Sequence, residues 1–207
     1  HAERLGVQFY WQAPVRQIEL ADKQAKGLTD QHNQTHPYDV IVSNLDVHST
    51  YRHLLPGQKG PKRFLEQPKS SSALIFYWGV KGHFEELDLH NILFAGDYQK
   101  EFQALFEDLT LPSDPTVYIN ISSKDEPADA PEGCENWYVM INAPWNNGQQ
   151  WDQLIAGARH QIMKKIHRIL GIDLTDRIVT EGIRDPRSLE SETGAYLGAL
   201  YGNSSNN

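Results

Sequence analysis

The chain has 207 residues, with 27 acidic side chains against 19 basic ones, a net charge of −8, and one cysteine. That length suits one compact domain or a domain and a half, and 22% charged with 10% aromatic residues excludes a disordered chain. The acid excess argues against nucleic-acid binding, a lone Cys rules out an intrachain disulfide framework or Cys-rich zinc site, and no run of about 18 apolar residues spans a bilayer.

The chain opens as HAERLGVQFYW, with no initiator Met and no signal peptide, and stops at GNSSNN. The expectation is a piece of a longer protein. Residues 5–44 read as β structure: VQFYWQ, then Pro14, then VRQIEL, whose Val15, Ile18 and Leu20 partly alternate with polar neighbours. Residues 22–37 are polar and suit hairpin tips with a short strand. YDVIVSN is an apolar run of the length of a buried strand and ends in the turn-prone Ser43-Asn44. LDVHSTYRHLL predicts a short helix capped by Asn44 or Asp46 and stopped by Pro56-Gly57.

GQKGPKRFLEQPKS, residues 57–70, is the natural boundary. Beyond it SALIFYWGV, HNILFAG, TVYINIS and NWYVMINAP read as strands bounded by Gly, Pro, Asp or Asn. Phe102, Leu105, Phe106 and Leu109 fall at helical spacing in YQKEFQALFEDL. A longer helix over about 149–170 carries the stripe Trp151, Leu154, Ile155, Ala158, Ile162, Ile166 and Ile169, with Gly171 as its stop. RIVTEGIRDP predicts another strand and SLESETG a helical turn. The fold class is therefore α/β with α+β character: a mixed, largely antiparallel sheet with packed helices.

None of the familiar catalytic signatures is present: there is no GxSxG, no Walker loop and no GxGxxG. His32 and His36 are four apart, but on a loop and without a carboxylate or Cys at ligand spacing, so no metal site is expected. His48 and His53 flank Tyr51-Arg52 after the YDVIVSN run; they are either ligand contacts at a strand end or satisfied histidines. Cys134, between carboxylates, reads as structural. The acidic loop SSKDEPADAPEGCEN lacks the register of a calcium loop and reads as solvated. Sequons begin at Asn33, Asn120 and Asn203, but without a secretory signal they carry no meaning. Trp78, Trp137, Trp145 and Trp151 either line a groove or fill the core.

Three colinear stretches carry more. YDVIVSNLDVHSTYRHLL resembles the D-x-V-V-S-N-A-D-V-H-x-T-Y segment of bacterial carotenoid (phytoene) desaturases. NISSKDEPADAPEGCENWYVMINAP resembles that family's S-S-K-T-D-P-x-x-A-P-E-G-C-E-N-W/L segment, and GALYGNSSNN its G-A-x-Y-G-x-S-S-N segment. HNILFAGDYQKEFQALFEDLTLPSDPTVYI fits between them, so the resemblance covers residues 5–207. It implies an FAD-dependent, amine-oxidase-like two-domain flavoprotein that removes two hydrogens across a C–C bond of a polyene. Residues 1–56 would be a partial β excursion of the FAD domain and 57–207 an incomplete substrate domain.

By resemblance Val15 would meet the adenine through its backbone, and Ser43 and Asn44 would approach the cofactor. Tyr201, Gly202 and the following Ser-Ser-Asn would lie near the flavin or the polyene. Leu45 departs from the pattern, where Ala is usual. Phe76, Trp78, Tyr118 and Tyr138 are candidate substrate wall; alternation puts Phe76 and Trp78 on one face, which suits wall and core alike. No general base is named, since the family's acid/base groups lie upstream of His1. The expected partners are a hydrophobic polyene and the FAD domain of the same chain, with peripheral contact to the inner face of the cell membrane and self-association through the open domain face also in view. FAD is expected in the longer parent and none in this piece, which by itself should be inactive. The runners-up are carotenoid cis–trans isomerisation and a non-catalytic apolar-ligand or interaction domain.

Overall fold

A computed structural model describes residues 1–204. The chain divides into two units, residues 1–66 and the remainder from Gln67; the division falls within the Gly-, Pro- and Lys-rich stretch.

In the first unit, β1 (Val15–Ala21), β2 (Gln24–Asp30) and β3 (Thr35–Pro37) form an antiparallel sheet in that order. Asp22 and Lys23 both take positive φ, the conformation a two-residue hairpin demands. At the next turn the Asp30 carboxylate accepts from the backbone N–H groups of His32 and Gln34, and His36 Nε2 lies 3.0 Å from it. His32 thus sits in the turn, whereas His36, expected on a loop, is in β3 opposite Leu28; no metal-ligating cluster exists among the described residues. Asp46, one of the two cap candidates, accepts from His48 N and Ser49 N and starts α1 (Val47–Ser49), which runs on as a π-turn over Thr50–Leu54. α2 (Lys62–Leu65) follows.

Two expected strands are absent here. VQFYWQ and YDVIVSN adopt no ladder, and Val40 and Val42 stand 79% and 86% exposed. An apolar run becomes a strand only when a neighbour takes up its backbone N–H and C=O groups. Only Tyr38, at the start of the second run, reaches a strand, its N–H donating to Lys26 O of β2.

The second unit is built on one antiparallel sheet: β4 (Ser72–Lys81), β5 (His90–Leu93), β6 (Val117–Asn120), β7 (Cys134–Ala143) and β8 (Ile178–Arg184), in the order β5-β6-β7-β4-β8. Helices α3 (Tyr98–Phe106), α4 (Trp151–Leu170) and α5 (Pro186–Thr193) complete it. Each element predicted between 72 and 193 forms, with shorter bounds: α3 ends at Phe106, leaving Leu109 beyond it at positive φ, and β5 ends at Leu93; Gly171 stops α4 in a left-handed conformation.

Strict alternation in β7 sorts the sheet into two faces. One carries Leu74, Phe76, Trp78 and Val80 from β4, and Trp137, Val139 and Ile141 from β7. It packs against Ala158, Ile162 and Ile166 of α4 as the main core. The other face is only partly covered: Leu189 of α5 sits on Ala73 and Ile75, with Tyr138 and Met140 at the margin.

Candidate functional site

The partly covered face can be mapped from strand register. One row across the sheet reads His90, Asn120, Tyr138, Tyr77, Gly182; the next reads Ile92, Tyr118, Met140, Ile75, Arg184. Four strand spacings make such a row roughly 19 Å long. The rings touch in sequence. Tyr77 and Tyr138 meet edge to face at 5.5 Å, Tyr138 and Tyr118 at 6.2 Å, and Tyr118 stacks on His90 at 6.1 Å. Arg184 closes the far end, its guanidinium 5.8 Å from the Tyr77 ring and 2.9 Å from Glu192. The result is a wall of aromatic faces with polar tips.

Those tips are held. The Tyr118 hydroxyl lies 2.8 Å from His90 Nδ1, and the Asn120 amide donates to the Leu89 carbonyl at 3.0 Å. The Tyr138 hydroxyl donates to Met140 Sδ at 3.5 Å. Burial, with the phenols of Tyr77 and Tyr118 close by, pushes the Tyr138 hydroxyl above its usual pKa. It therefore stays neutral across the physiological range, as an apolar ligand requires. Opposite Tyr77, Gly182 bears no side chain, and the Tyr77 ring lies over the vacant position at 3.8 Å. A groove of about 610 Å³ opens at this end of the wall, lined by Tyr77, Gly79, Asn136, Tyr138, Thr180 and Gly182 among others.

Of the residues expected to form a wall, Tyr118 and Tyr138 are on this face, and Tyr201 is near enough to raise the Tyr138 pKa further while standing 80% exposed. Phe76 and Trp78 share a face, but it is the core face, where they are 0% and 1% exposed. They are enclosed on the α4 side, and the Trp78 indole N–H donates to Glu181 at 2.6 Å; Phe76 has no part in the groove, and Trp78 borders it while remaining almost wholly buried. Tyr77, between them, takes the open side. Trp137 and Trp151 are likewise core, each indole N–H paired, with Glu135 at 2.9 Å and Asn146 at 2.9 Å. Val15 begins β1, the edge strand of the first unit, and Asn44 is exposed there. Ser43 lies 2.8 Å from the Thr50 hydroxyl, and His48 and His53 sit on α1 and the π-turn. Ser205 and Asn206 lie outside the described residues.

Two of the three motifs are tied into the scaffold. In the acidic loop, Glu135 is buried on the core face and its carboxylate accepts from Phe84 N at 3.1 Å, Lys124 Nζ at 2.8 Å and Trp137 Nε1 at 2.9 Å. Asn136 accepts from Ser123 N at 3.0 Å and donates to Ser122 Oγ at 2.7 Å, while Ser122 donates to Asp129. The loop is thereby stitched back onto β7 rather than left in solvent. In GALYGNS, Gly198 takes φ +69°, and a Cβ there would lie 2.2 Å from the Pro186 carbonyl oxygen. Beyond it, Leu200 N donates to Ser71 O and Ser70 N to Gly202 O, so the segment runs beside the entry to β4.

Over 206 residues, its whole length, the chain is 48% identical to a 1-hydroxycarotenoid 3,4-desaturase of Flavobacterium sp. strain P99-3, of which it covers 42%. It is 29% identical over 223 residues to a phytoene desaturase of Fusarium fujikuroi, covering 97% of this chain and 39% of that protein. Its homologues are carotenoid desaturases. A 4,4'-diaponeurosporene oxygenase of Staphylococcus haemolyticus is 34% identical over 167 residues, 79% of this chain and 33% of that protein. The chain thus spans about two fifths or less of the length of these relatives. A solved oxidoreductase from Methanosarcina mazei shares the fold with a TM-score of 0.50 at 11% identity, over 83% of this chain and 36% of that one. No family model matches, and among the described residues no helix is long and apolar enough to cross a membrane.

Proposed function

We propose that this chain is part of an FAD-dependent carotenoid desaturase, residues 1–56 a β segment of its flavin domain and 57–207 most of its substrate domain. The observation that carries the reading is the aromatic wall: three linked tyrosines on the one sheet face not committed to the core, in a chain whose homologues are carotenoid desaturases. Bound FAD would supply the hydride acceptor. The chain's own part is to seat the polyene against Tyr77, Tyr118 and Tyr138, keep the Tyr138 phenol neutral, and exclude water. Tyr201 lies beside the same wall and is proposed as a further contact.

The residues proposed near the cofactor fit it through their backbone. Val15 lies on an edge strand whose outer N–H and C=O groups face away from β2, which suits contact with an adenine edge. The Ser43 hydroxyl is engaged with Thr50, which leaves the main chain of Ser43 and Asn44 for the cofactor. An oxygenase relative favours a second reading, oxidation of the same polyene by oxygen insertion.

The test is to express the full open reading frame and add a saturated polyene precursor in lipid. A flavin spectrum with a product lighter by two hydrogens supports desaturation, and an oxygen-containing product supports the second reading. A full-length protein that binds no flavin would overturn both.

A further inference from the structure

A glycine inside a strand weakens it, because its backbone has the most freedom to lose and it brings no side chain to pack. It is retained for a positive φ, a bulge, a neighbouring atom standing where Cβ would go, or a ligand that comes close. In β2, a Cβ on Gly27 would lie 2.5 Å from the His36 carbonyl oxygen, and in β4 one on Gly79 would lie 2.5 Å from Thr180 Cγ2. Both of these glycines are explained by the atoms that cross them.

Gly182 in β8 is not explained that way. Its φ is not positive, and it pairs in register with Tyr77, away from the irregularity of this ladder at Gly79 and Val80. A Cβ there would meet Tyr77 Cβ at 3.7 Å and Cδ2 at 3.8 Å, which is ordinary contact, so an alanine fits without moving the ring. The Tyr77 ring recovers some packing by covering the glycine, but it does not need the side chain to be absent. A strand added beside β8 would not need it either, since such a strand lies in the plane of the sheet. The remaining reason is a ligand on the open face.

The place suits one. Gly182 is exposed and ends the row through Tyr138 and Tyr77, and the groove of about 610 Å³ reaches it. Thr180 and Arg184, two residues to either side, stand on the same face. Arg184 ends the neighbouring row, held by Glu192 at 2.9 Å, so of the two rows only that of Tyr77 runs out over a bare position. At the opposite end the His90 ring stacks on Tyr118 at 6.1 Å. A row of roughly 19 Å is shorter than an extended carotenoid, and a chain laid along it overhangs where no side chain stands.

We propose that Gly182 is the passage by which the polyene crosses the edge strand of the sheet, between Thr180 and Arg184, and the residue that admits a chain longer than the wall. This rests on the reading of the tyrosine face as a polyene wall and adds where the ligand leaves it.

The experiment uses the full-length, flavin-loaded protein with Gly182→Ala and Gly182→Val, and two probes: lycopene, longer than the wall, and retinol, short enough to seat on it without reaching the edge. Binding is read by quenching of protein fluorescence, stability by thermal melts, and turnover by chromatography. Both variants should keep or raise the melting temperature, because a side chain the backbone accepts replaces a strand glycine. Gly182→Val should weaken lycopene binding by roughly tenfold or more, Gly182→Ala by less, and retinol should lose at most about twofold in either. Lycopene affinity unmoved by Gly182→Val, equal losses for the two probes, or a lower melting temperature for Gly182→Ala overturns the passage. A native protein that binds neither probe overturns the wall and the passage together. Binding of lycopene without turnover overturns the enzymatic reading alone, and the affinity ratio still decides the passage.

Discussion

Glu135 offers the sharpest test of how the acidic loop is held. Its carboxylate is 3% exposed and takes three donors: Phe84 N and Lys124 Nζ on one oxygen, Trp137 Nε1 on the other. Glu135→Gln keeps the shape but leaves one acceptor oxygen, so an amide N–H must face a donor. The cheaper orientation turns it toward the indole, stranding a buried donor at about 1–3 kcal/mol. The bond from Lys124 also drops from charge-assisted to neutral, a further loss of about 1 kcal/mol. The sum is about 2–4 kcal/mol.

Urea unfolding of the 207-residue chain, followed by circular dichroism and tryptophan fluorescence, reads this directly. With a slope of about 2 kcal/mol per molar urea, the midpoint should fall by roughly 1–2 M. Glu132→Gln, an exposed position in the same loop, should leave it within roughly 0.3 M. In the double variant with Trp137→Phe the donor clash disappears, so the two losses should sum to less than their singles. A Glu135→Gln midpoint equal to that of Glu132→Gln would refute the network as the loop's anchor.

On the wall, Tyr138→Phe keeps the ring and should leave polyene binding to the full-length protein within about twofold, while Tyr138→Ala should weaken it roughly 10-fold or more; equal losses in both would move the interaction from ring to hydroxyl. Asp185 caps α5, accepting from Arg187 N at 2.7 Å and Ser188 N at 3.2 Å and pairing with the Arg187 guanidinium at 2.7 Å. Burial raises its pKa, but the Arg187 bonds and the two backbone donors outweigh it and hold the carboxyl below 3.8. Its stabilisation is therefore present above the unfolded value near 3.8 and lost as pH falls through the lower folded value. Asp185→Ala should cost about 2 kcal/mol at pH 7 and much less at pH 2, checked by melts at both. Gly198→Ala should cost at least about 2 kcal/mol, since both the positive φ and the Pro186 carbonyl oppose a side chain; a native melting point would contradict this. The 207-residue chain mixed with FAD should retain none through gel filtration, and near-stoichiometric yellow protein would refute the assignment of its flavin contacts as partial.

How much of this was legible in the sequence depended on whether the deciding partner was local. The i, i+3, i+4 stripe of α4 needs only its own residues, and so do the β7 alternation and the Asp46 cap. β4 was legible as a strand but not as to its faces. Ala73 to Trp78 is apolar on both sides, and the choice between Phe76 with Trp78 and Ile75 with Tyr77 is made by α4, some seventy residues later. The available signal for Tyr77 was a tyrosine opposite a strand glycine, Gly182, which only register reveals. VQFYWQ and YDVIVSN failed for the complementary reason: their apolar character is genuine, but a strand is a property of a pair.

The same distinction explains why the motifs identify a lineage without revealing its chemistry. Glu135, Asn136 and Gly198 sit where one substitution strands a buried donor or drives a Cβ into a carbonyl, so these positions tolerate few alternatives. Tyr77, Tyr138 and Thr180 line a groove and Tyr118 stands on the same open face, where size and polarity can change at little cost to folding. Two proteins can therefore share the loop and the glycines in full and still bind different polyenes. A motif match fixes the scaffold, and the ligand has to be read from the side chains that this scaffold turns toward the open face of the sheet.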